Sequence, residues 1–303
     1  MTLMKPLNYL LILFVAFALQ YAPLAAQANL LNSRVPQDVG KLTKLQEETN
    51  DVTPLAYGYV DDRDVLWSKT IWEIIDLNER INFPYYYPTD TLNLGPDRRS
   101  LFDILKLNLS KGRIKEVYKS SYFQEKMTYD EIQESLIAID TTDFGFEQFN
   151  SDGFVDEEFI SKRKITSAEI KQFKIKGTWY FNKRLGELRY RLLGICPVAA
   201  DIAVQAANED EEDLVELFWV WYPDAREKLN QNSVFNSRNS SQPITFDVML
   251  NSRRFNSIIY KEENVYEDRE VKEYIFEDAL RQLLESERIK SVIRDFEQDM
   301  WNN

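Results

Sequence analysis

The residues of this chain that could do chemistry are carboxylates, lysines and tyrosines. Its 303 residues include no histidine and one cysteine, Cys196, which lies among apolar neighbours typical of a buried thiol. Without histidine there is no Ser-His-Asp or Cys-His arrangement and no imidazole ligand, and one cysteine excludes a structural zinc site. The 50 acidic residues fall beside one another by chance, whereas a working pair needs convergent geometry. The sequence therefore predicts no catalytic residue, no cofactor and no metal site.

Three patterns resemble ligand-binding or catalytic motifs, but the residues around them do not complete the motifs. The triplet Asp143–Gly145 (DFG) matches a protein kinase motif, but no glycine-rich loop accompanies it, and we interpret it as a turn. The acidic run Asn208–Asp213 (NEDEED) lacks the alternating ligand spacing of a calcium loop, which favours a solvated loop. The nine glycines form no phosphate-binding loop, so a Rossmann or P-loop nucleotide site is excluded.

A run of three tyrosines, Tyr85, Tyr86 and Tyr87, is the best candidate for a binding surface. Pro84 and Pro88 bracket it, and because a proline disfavours helix for the residue before it, we expect an extended segment. Side chains of an extended segment alternate in direction, so at least one ring should be exposed. The rings could stack on a carbohydrate such as peptidoglycan, anchor a protein interface or pack in the core.

The first 28 residues have the pattern of a secretory signal peptide. Lys5 is followed by the apolar run LLILFVAFAL and by small residues that fit cleavage after Ala26 or Ala28. An uncleaved membrane anchor is the alternative, but the run is shorter than the roughly 20 residues that span a bilayer. Because no cysteine stands at the cleavage site, the mature chain cannot carry a lipid there, and we expect no direct membrane insertion after cleavage.

The charge of the chain bounds its partners. The formal net charge is −13 at pH 7, and such a surface repels nucleic-acid phosphates and anionic lipid headgroups. Basic protein surfaces are favoured instead, and no nucleic-acid partner is expected.

Apolar spacing predicts helices on both sides of the middle of the chain. Residues 29–56 are expected to form a flexible arm and residues 57–303 a single α+β domain, with a possible substructure boundary in the polar stretch 230–244. Helices are expected from Asp64, from Asp97 or Arg98, from a Thr128 and Glu131 capping box, from Thr245, and over 270–301 with a bend near Ser286.

The middle of the chain changes to the alternating period of strands. Apolar residues alternate with polar ones over Phe173–Phe181, a turn follows at Asn182–Gly186, and Leu188–Ile195 should return as the partner strand. The apolar segment Leu214–Tyr222 is expected as a third strand. Together they predict an antiparallel meander over about residues 173–222, flanked by helices from the N- and C-terminal parts.

Several blocks resemble one protein family. The longest is Asp61–Pro88 (DDRDVLWSKTIWEIIDLNERINFPYYYP), which resembles the gliding-motility protein GldN, also called PorN, of the Bacteroidetes type IX secretion machinery. The resemblance recurs over nearly the whole mature chain. The other blocks are Gly95–Leu105 (GPDRRSLFDIL), Leu217–Pro223 (LFWVWYP), Ile258–Arg269 (IIYKEENVYEDR) and Leu283–Lys290 (LLESERIK).

The resemblance implies a non-catalytic subunit of a protein secretion and gliding motility machine. Such proteins form a periplasmic ring complex with the outer-membrane lipoprotein GldK and contact GldM of the inner-membrane motor, which implies GldK-like and GldM-like partners and self-association. Tyr85, Tyr86 and Tyr87 are then candidate interface anchors, and Arg63 and Arg80 could pair with acids across the contact. The alternative is a periplasmic carbohydrate-binding module or a hydrolase that uses carboxylates.

Overall fold

The computed structural model describes most of the chain after residue 53, and the part from Thr53 to Asn303 forms one compact unit. The expected signal peptide, nearly all of the expected arm and the acidic run Asn208–Asp213 lie outside the described residues. Within the described part, no helix combines the length and apolar character that crossing a membrane requires. The described residues are 54, 57–90, 98–156, 159–200, 214–235, 244–276 and 278–301.

An antiparallel sheet of seven strands forms the centre of the structure, in the order β11-β1-β5-β6-β8-β2, with β7 paired to β6. Two smaller pairs, β3 with β4 and β9 with β10, stand apart from it. The strands are β1 (Val65–Asp76), β2 (Val117–Tyr118), β3 (Ile137–Thr141), β4 (Ile160–Lys164), β5 (Ile170–Asn182), β6 (Glu187–Ala200), β7 (Leu214–Glu216), β8 (Trp219–Trp221), β9 (Ser233–Val234), β10 (Ile244–Thr245) and β11 (Ile258–Glu262).

The helix expected from Asp64 is wrong, because residues 65–76 form the strand β1. This strand pairs along its length with β5 and, near its end, with β11. Both of its faces are covered: Ile71 and Ile75 are buried on one face and Trp72 on the other. Burial on two faces removes the simple alternation of a strand and leaves apolar residues at helix-like spacing. Its β-branched and aromatic composition was the better signal.

The predicted meander is confirmed. Strands β5 and β6 form a hairpin whose turn runs over Asn182–Gly186, where the Asn182 Oδ1 accepts hydrogen bonds from two backbone N–H groups and Gly186 has a φ of 67°. The expected third strand is interrupted at Leu217 and Phe218, which separates β7 from β8. Tyr222 already belongs to the following helix.

Eight helices occur in the described residues, and the positions of their caps explain where three of them begin. Ser100, rather than Asp97 or Arg98, caps α2. The Thr128–Glu131 capping box of α3 and the Thr245 cap of α6 are confirmed. The helices are α1 (Phe83–Tyr86), α2 (Leu101–Ser110), α3 (Tyr129–Ser135), α4 (Asp143–Asp152), α5 (Tyr222–Asn230), α6 (Phe246–Asn251), α7 (Val271–Tyr274) and α8 (Ala279–Trp301).

The sheet separates the core into parts. Helices α1, α2, α5 and α6 pack on one end of a sheet face around residues such as Phe173 and Ile195. Helix α8 contacts the same face further along β1, where Ile289 and Ile293 meet Ile71. Cys196 is buried beside Trp72 on the opposite face, as expected, and burial raises the pKa of its thiol well above the usual value.

The C-terminal helical stripe differs from the prediction in two ways. The chain leaves the helix at Ile275 and re-enters it at Ala279, whereas α8 is continuous through Ser286. Ser286 is fully buried, and its hydroxyl accepts a hydrogen bond of 2.8 Å from the backbone N–H of Ile259, which fixes α8 to β11. Leu283 and Val292 share the apolar spacing that predicted this helix, yet both are exposed.

A buried ion pair joins α5 to α6. The Asp247 carboxylate accepts hydrogen bonds from Arg226 at 2.9 and 3.1 Å and from the Tyr222 hydroxyl at 2.8 Å. Nearby, the Tyr57 ring stacks under the Arg226 guanidinium at 4.1 Å. The first residues of the domain are thereby tied to its helical layer.

Candidate interaction surface

The candidate surface begins where β1 ends. After Asp76 the chain makes a turn and a short 3-10 segment, Arg80–Asn82, that leads into α1. Asn82 is fully buried and bridges two segments: its side-chain amide donates to the carbonyls of Asp76 at 2.7 Å and Asn256 at 3.1 Å. The Asn256 N–H returns a bond of 3.0 Å to the Asn82 Oδ1. The turn is therefore fixed to a segment distant in sequence.

The three tyrosines point in different directions because α1 is one helical turn, not the extended segment that was expected. Pro84 occupies the first turn, where its missing N–H costs nothing. Tyr85 is fully buried, its hydroxyl donates to the Arg254 carbonyl at 3.3 Å, and burial raises the pKa of the phenol. Tyr86 is half-buried and donates to the Ala168 carbonyl at 3.2 Å. Tyr87 has 51% of its surface exposed.

Tyr87 belongs to an apolar surface that the tyrosine run alone did not reveal. Ile81 and Phe83 are 57% and 36% exposed, and the Phe83 and Tyr87 rings meet edge to face at 5.4 Å. Arg80 lies exposed at the border. We call Arg80, Ile81, Phe83 and Tyr87 the Ile81–Tyr87 surface. Reading Pro84 as the start of a helical turn would have predicted the pairing of residues 83 and 87.

Arg63 does not lie with the other candidates. It precedes β1, whereas Arg80 and the tyrosines follow it, and the twelve residues of that strand extend about 40 Å. The Arg63 side chain is 79% exposed and pairs with Asp61 at 3.1 Å. The structure thus leaves Arg80 and Tyr87 exposed within one short segment, removes Tyr85 from the surface and leaves Arg63 at the far end of β1. Whether any of them contacts a partner stays a prediction.

A buried polar network supports the same region. The Glu73 carboxylate of β1 is 1% exposed and accepts two hydrogen bonds from the Arg253 guanidinium, at 2.9 and 2.7 Å. The Ser257 hydroxyl donates to it at 2.8 Å and the Tyr190 hydroxyl at 3.4 Å. Burial raises the pKa of Tyr190, and the Glu73 charge raises it further.

Two backbone features make room for this network. Tyr190 crosses Gly177, where a Cβ would lie 2.1 Å from the tyrosine hydroxyl, so a side chain at that position is excluded. Arg253 has a φ of 51°, a conformation uncommon for a residue with a side chain. The partners of Glu73 lie more than 100 positions away in sequence, and no local pattern could have identified them.

A second apolar surface lies on α8. Leu280, Leu283 and Leu284 are 66%, 43% and 59% exposed on the side of the helix opposite its buried residues Ile289 and Ile293. We call these three residues the α8 leucine surface. The apolar residues of the C-terminal stretch 270–301 are thus divided between core and solvent.

The side chains of these two surfaces can contact other molecules. Acid–base catalysis or metal binding would need side chains that are not among them. Among the described residues, no group of three or more Cys, Asp or Glu side chains could hold a metal ion. What the two surfaces offer is exposed apolar area on fixed backbone, with Arg80 at the edge of one of them.

Most of the chain matches a family of known proteins. The family described as gliding motility associated protein GldN matches residues 60–302, which is most of the chain and includes both surfaces. No curated protein matches the chain.

Proposed function

Because this chain belongs to the GldN family of gliding motility proteins, we propose that it acts by binding, as a non-catalytic subunit of a periplasmic assembly. In this proposal it is exported, forms a ring complex with a GldK-like outer-membrane lipoprotein and contacts a GldM-like component of the inner-membrane motor. Its association with the outer membrane is peripheral, through the lipoprotein. The family supports the gliding motility and secretion role, and the residues of the surface support the binding mode.

The Ile81–Tyr87 surface is the observation that carries the proposal. It exposes Ile81, Phe83 and Tyr87 on the 3-10 segment and the helical turn that follow β1, and Tyr85 of the same turn is anchored in the core. Aromatic side chains held in place lose little entropy on binding, and such residues supply most of the affinity of protein interfaces. Arg80 at the border would pair with an acidic group of the partner and fix register more than affinity.

A ring also requires two different surfaces on each subunit. In a closed ring of identical subunits, one face of each copy meets a different face of the next, unlike the self-matching contact of a two-fold dimer. The Ile81–Tyr87 surface and the α8 leucine surface lie on different elements and differ in composition: the first contains two aromatic rings and an arginine, and the second is aliphatic. They are suited to contacts with different neighbours.

The test replaces the exposed residues and leaves the buried one intact. The double variant Ile81→Ser with Tyr87→Ala should fold normally and lose most co-purification with the GldK-like lipoprotein, together with secretion of cargo. Tyr129→Ala is the matched control, because Tyr129 is 54% exposed on α3, outside this surface. Normal complex formation by the double variant would rule out this surface as the contact.

The same preparation tests export and the alternative function. The intact mass of the protein should lack the residues up to Ala26 or Ala28 and carry no acyl group. Sedimentation with peptidoglycan that depends on Tyr87 would instead support the carbohydrate-binding alternative, since an exposed phenol can stack on a sugar ring.

A further inference from the structure

We propose that a cavity between α2, α3 and β4 is a binding site for a carboxylate group, a proposal that does not depend on the proposed function. The cavity has a volume of about 210 Å³ and lies where the start of the β3–β4 pair meets the two helices. Leu136 forms part of its wall, and the polar residues Lys106, Gln133 and Lys164 also line it. At about 30 Å³ for each water molecule, its volume suits a small dicarboxylate or one acidic side chain.

The polar groups that line the cavity are mainly hydrogen-bond donors. The Lys106 ammonium donates one bond to the Ile165 carbonyl at 2.5 Å, which leaves two of its three N–H groups. The Nε2 of Gln133 is buried and has no hydrogen-bond partner among the described residues. A buried donor without a partner costs free energy, and an acceptor in the cavity would remove that cost. Lys164, which also lines the cavity, is exposed.

The local charge favours an anion, although the chain as a whole is acidic. Asp103 alone among the lining residues is acidic, and Arg99 pairs with it at 2.6 Å. In the described part of the chain, neither Lys106 nor Lys164 forms an ion pair. Burial is the largest effect on Lys106 and lowers its pKa, Asp103 raises it, and the Lys164 charge lowers it further. An anion between the two ammonium groups would offset their repulsion.

A carboxylate matches this donor set. An ionised carboxylate only accepts hydrogen bonds, and its two oxygens can be shared between Gln133 on α3 and Lys106 on α2. The source is either an acidic side chain of a protein partner or a free small dicarboxylate. Glutarate has the carboxylate chemistry of both sources, and a peptide with one glutamate among glycines separates them. Tighter binding of the peptide identifies a protein side chain as the source. Tighter binding of glutarate identifies a free anion.

The side-chain amide of Gln133 gives a direct measurement. Its NMR signals, assigned by their loss in Gln133→Met, should shift on addition of glutarate and saturate with a dissociation constant on the order of 1 mM. The neutral isostere glutaramide should cause no comparable shift. Lys106→Met should weaken glutarate binding about tenfold or more, because it removes a charge-assisted hydrogen bond. Lys111→Met, an exposed lysine just after α2, should leave binding unchanged.

Thermal unfolding establishes that each variant is folded. If Lys106→Met is not folded, Lys164→Met serves instead, with an expected loss of about threefold because its ammonium is solvated. The proposal fails if glutarate moves no Gln133 signal, if glutaramide moves it equally, or if inorganic phosphate saturates the site at a lower concentration than glutarate.

Discussion

Tyr85 and Tyr87 stand two positions apart and have opposite environments. Tyr85 lies in the core against Phe246 and Phe255, while Tyr87 has half of its surface in solvent. On a helical turn, two residues correspond to a rotation of about 200°, so one tyrosine must face away from the other. One short block of sequence thus contains residues that hold the fold and residues free to bind. A substitution in this block has to be assigned to one side before its effect on function can be understood.

The largest expected effect is on stability, and it follows from disrupting the Glu73 network that supports the buried side of this block. Glu73→Ala removes the carboxylate that Arg253, Ser257 and Tyr190 share and leaves a guanidinium without its partner. We expect the free energy of unfolding to fall by about 3 kcal/mol, the lower end for a buried pair because Arg253 is 23% exposed. Urea unfolding measures the change.

Asp247→Ala is the matched control for that experiment. It breaks the other buried arginine–carboxylate pair, between α5 and α6, and should destabilise the protein to a similar extent. Glu73→Ala alone should also increase amide hydrogen exchange over residues 76–87, because its network holds the segment that Asn82 contacts. Equal exchange in the two variants would show that the surface does not depend on Glu73.

A smaller effect is expected within the buried side. Tyr85→Phe keeps the ring against Phe246 and removes only the hydroxyl, whose bond to the Arg254 carbonyl measures 3.3 Å. A single neutral hydrogen bond contributes about 1 kcal/mol to stability. Calorimetry should therefore record a modest fall in the melting temperature with normal partner binding. A loss of binding at full stability would contradict the division between the two sides.

The smallest effect on stability is expected on the exposed side. Tyr87→Ala removes a ring that is 51% exposed, and we expect a change in unfolding free energy of less than about 0.5 kcal/mol. Partner binding should weaken at least about tenfold if Tyr87 is an interface anchor. Unfolding free energy and partner binding, compared between this variant and Tyr85→Phe, assign each tyrosine either to the fold or to the interface.

Local signals in the sequence predicted those parts of the fold that local physics decides. The capping box at Thr128 and the cap at Thr245 were found because a side chain bonds to a backbone N–H three residues later. Strand β5 was found because its residues alternate between buried and partly exposed over 173–177, and β6 was found as its return strand after the turn. Strand β1 was mistaken for a helix because partners distant in sequence cover both of its faces, and propensity is weak against such context.

The sequence indicated only part of the candidate surface. Tyr87 and Arg80 were named as interface candidates and have exposed area, and their contact with a partner stays a prediction. Ile81 and Phe83 were not named, because the segment was expected to be extended. Tyr85 could not be separated from Tyr87, since its burial depends on Phe246 and Phe255, more than 150 positions later. Of the exposed leucines of α8, only Leu283 belongs to the apolar spacing that predicted the C-terminal helix, and such spacing is the same whether a stripe meets the sheet or another molecule.

The position of β1 has a mechanical consequence. Its end leads directly through Asn82 into the Ile81–Tyr87 surface, and the strand itself lies between β5 and β11. Antiparallel hydrogen bonds run perpendicular to the strands. A pull on that surface along β1 would load these bonds in shear, many at once, instead of opening them one at a time. A subunit tethered at this point would transmit tension into its sheet through the strands on both sides of β1.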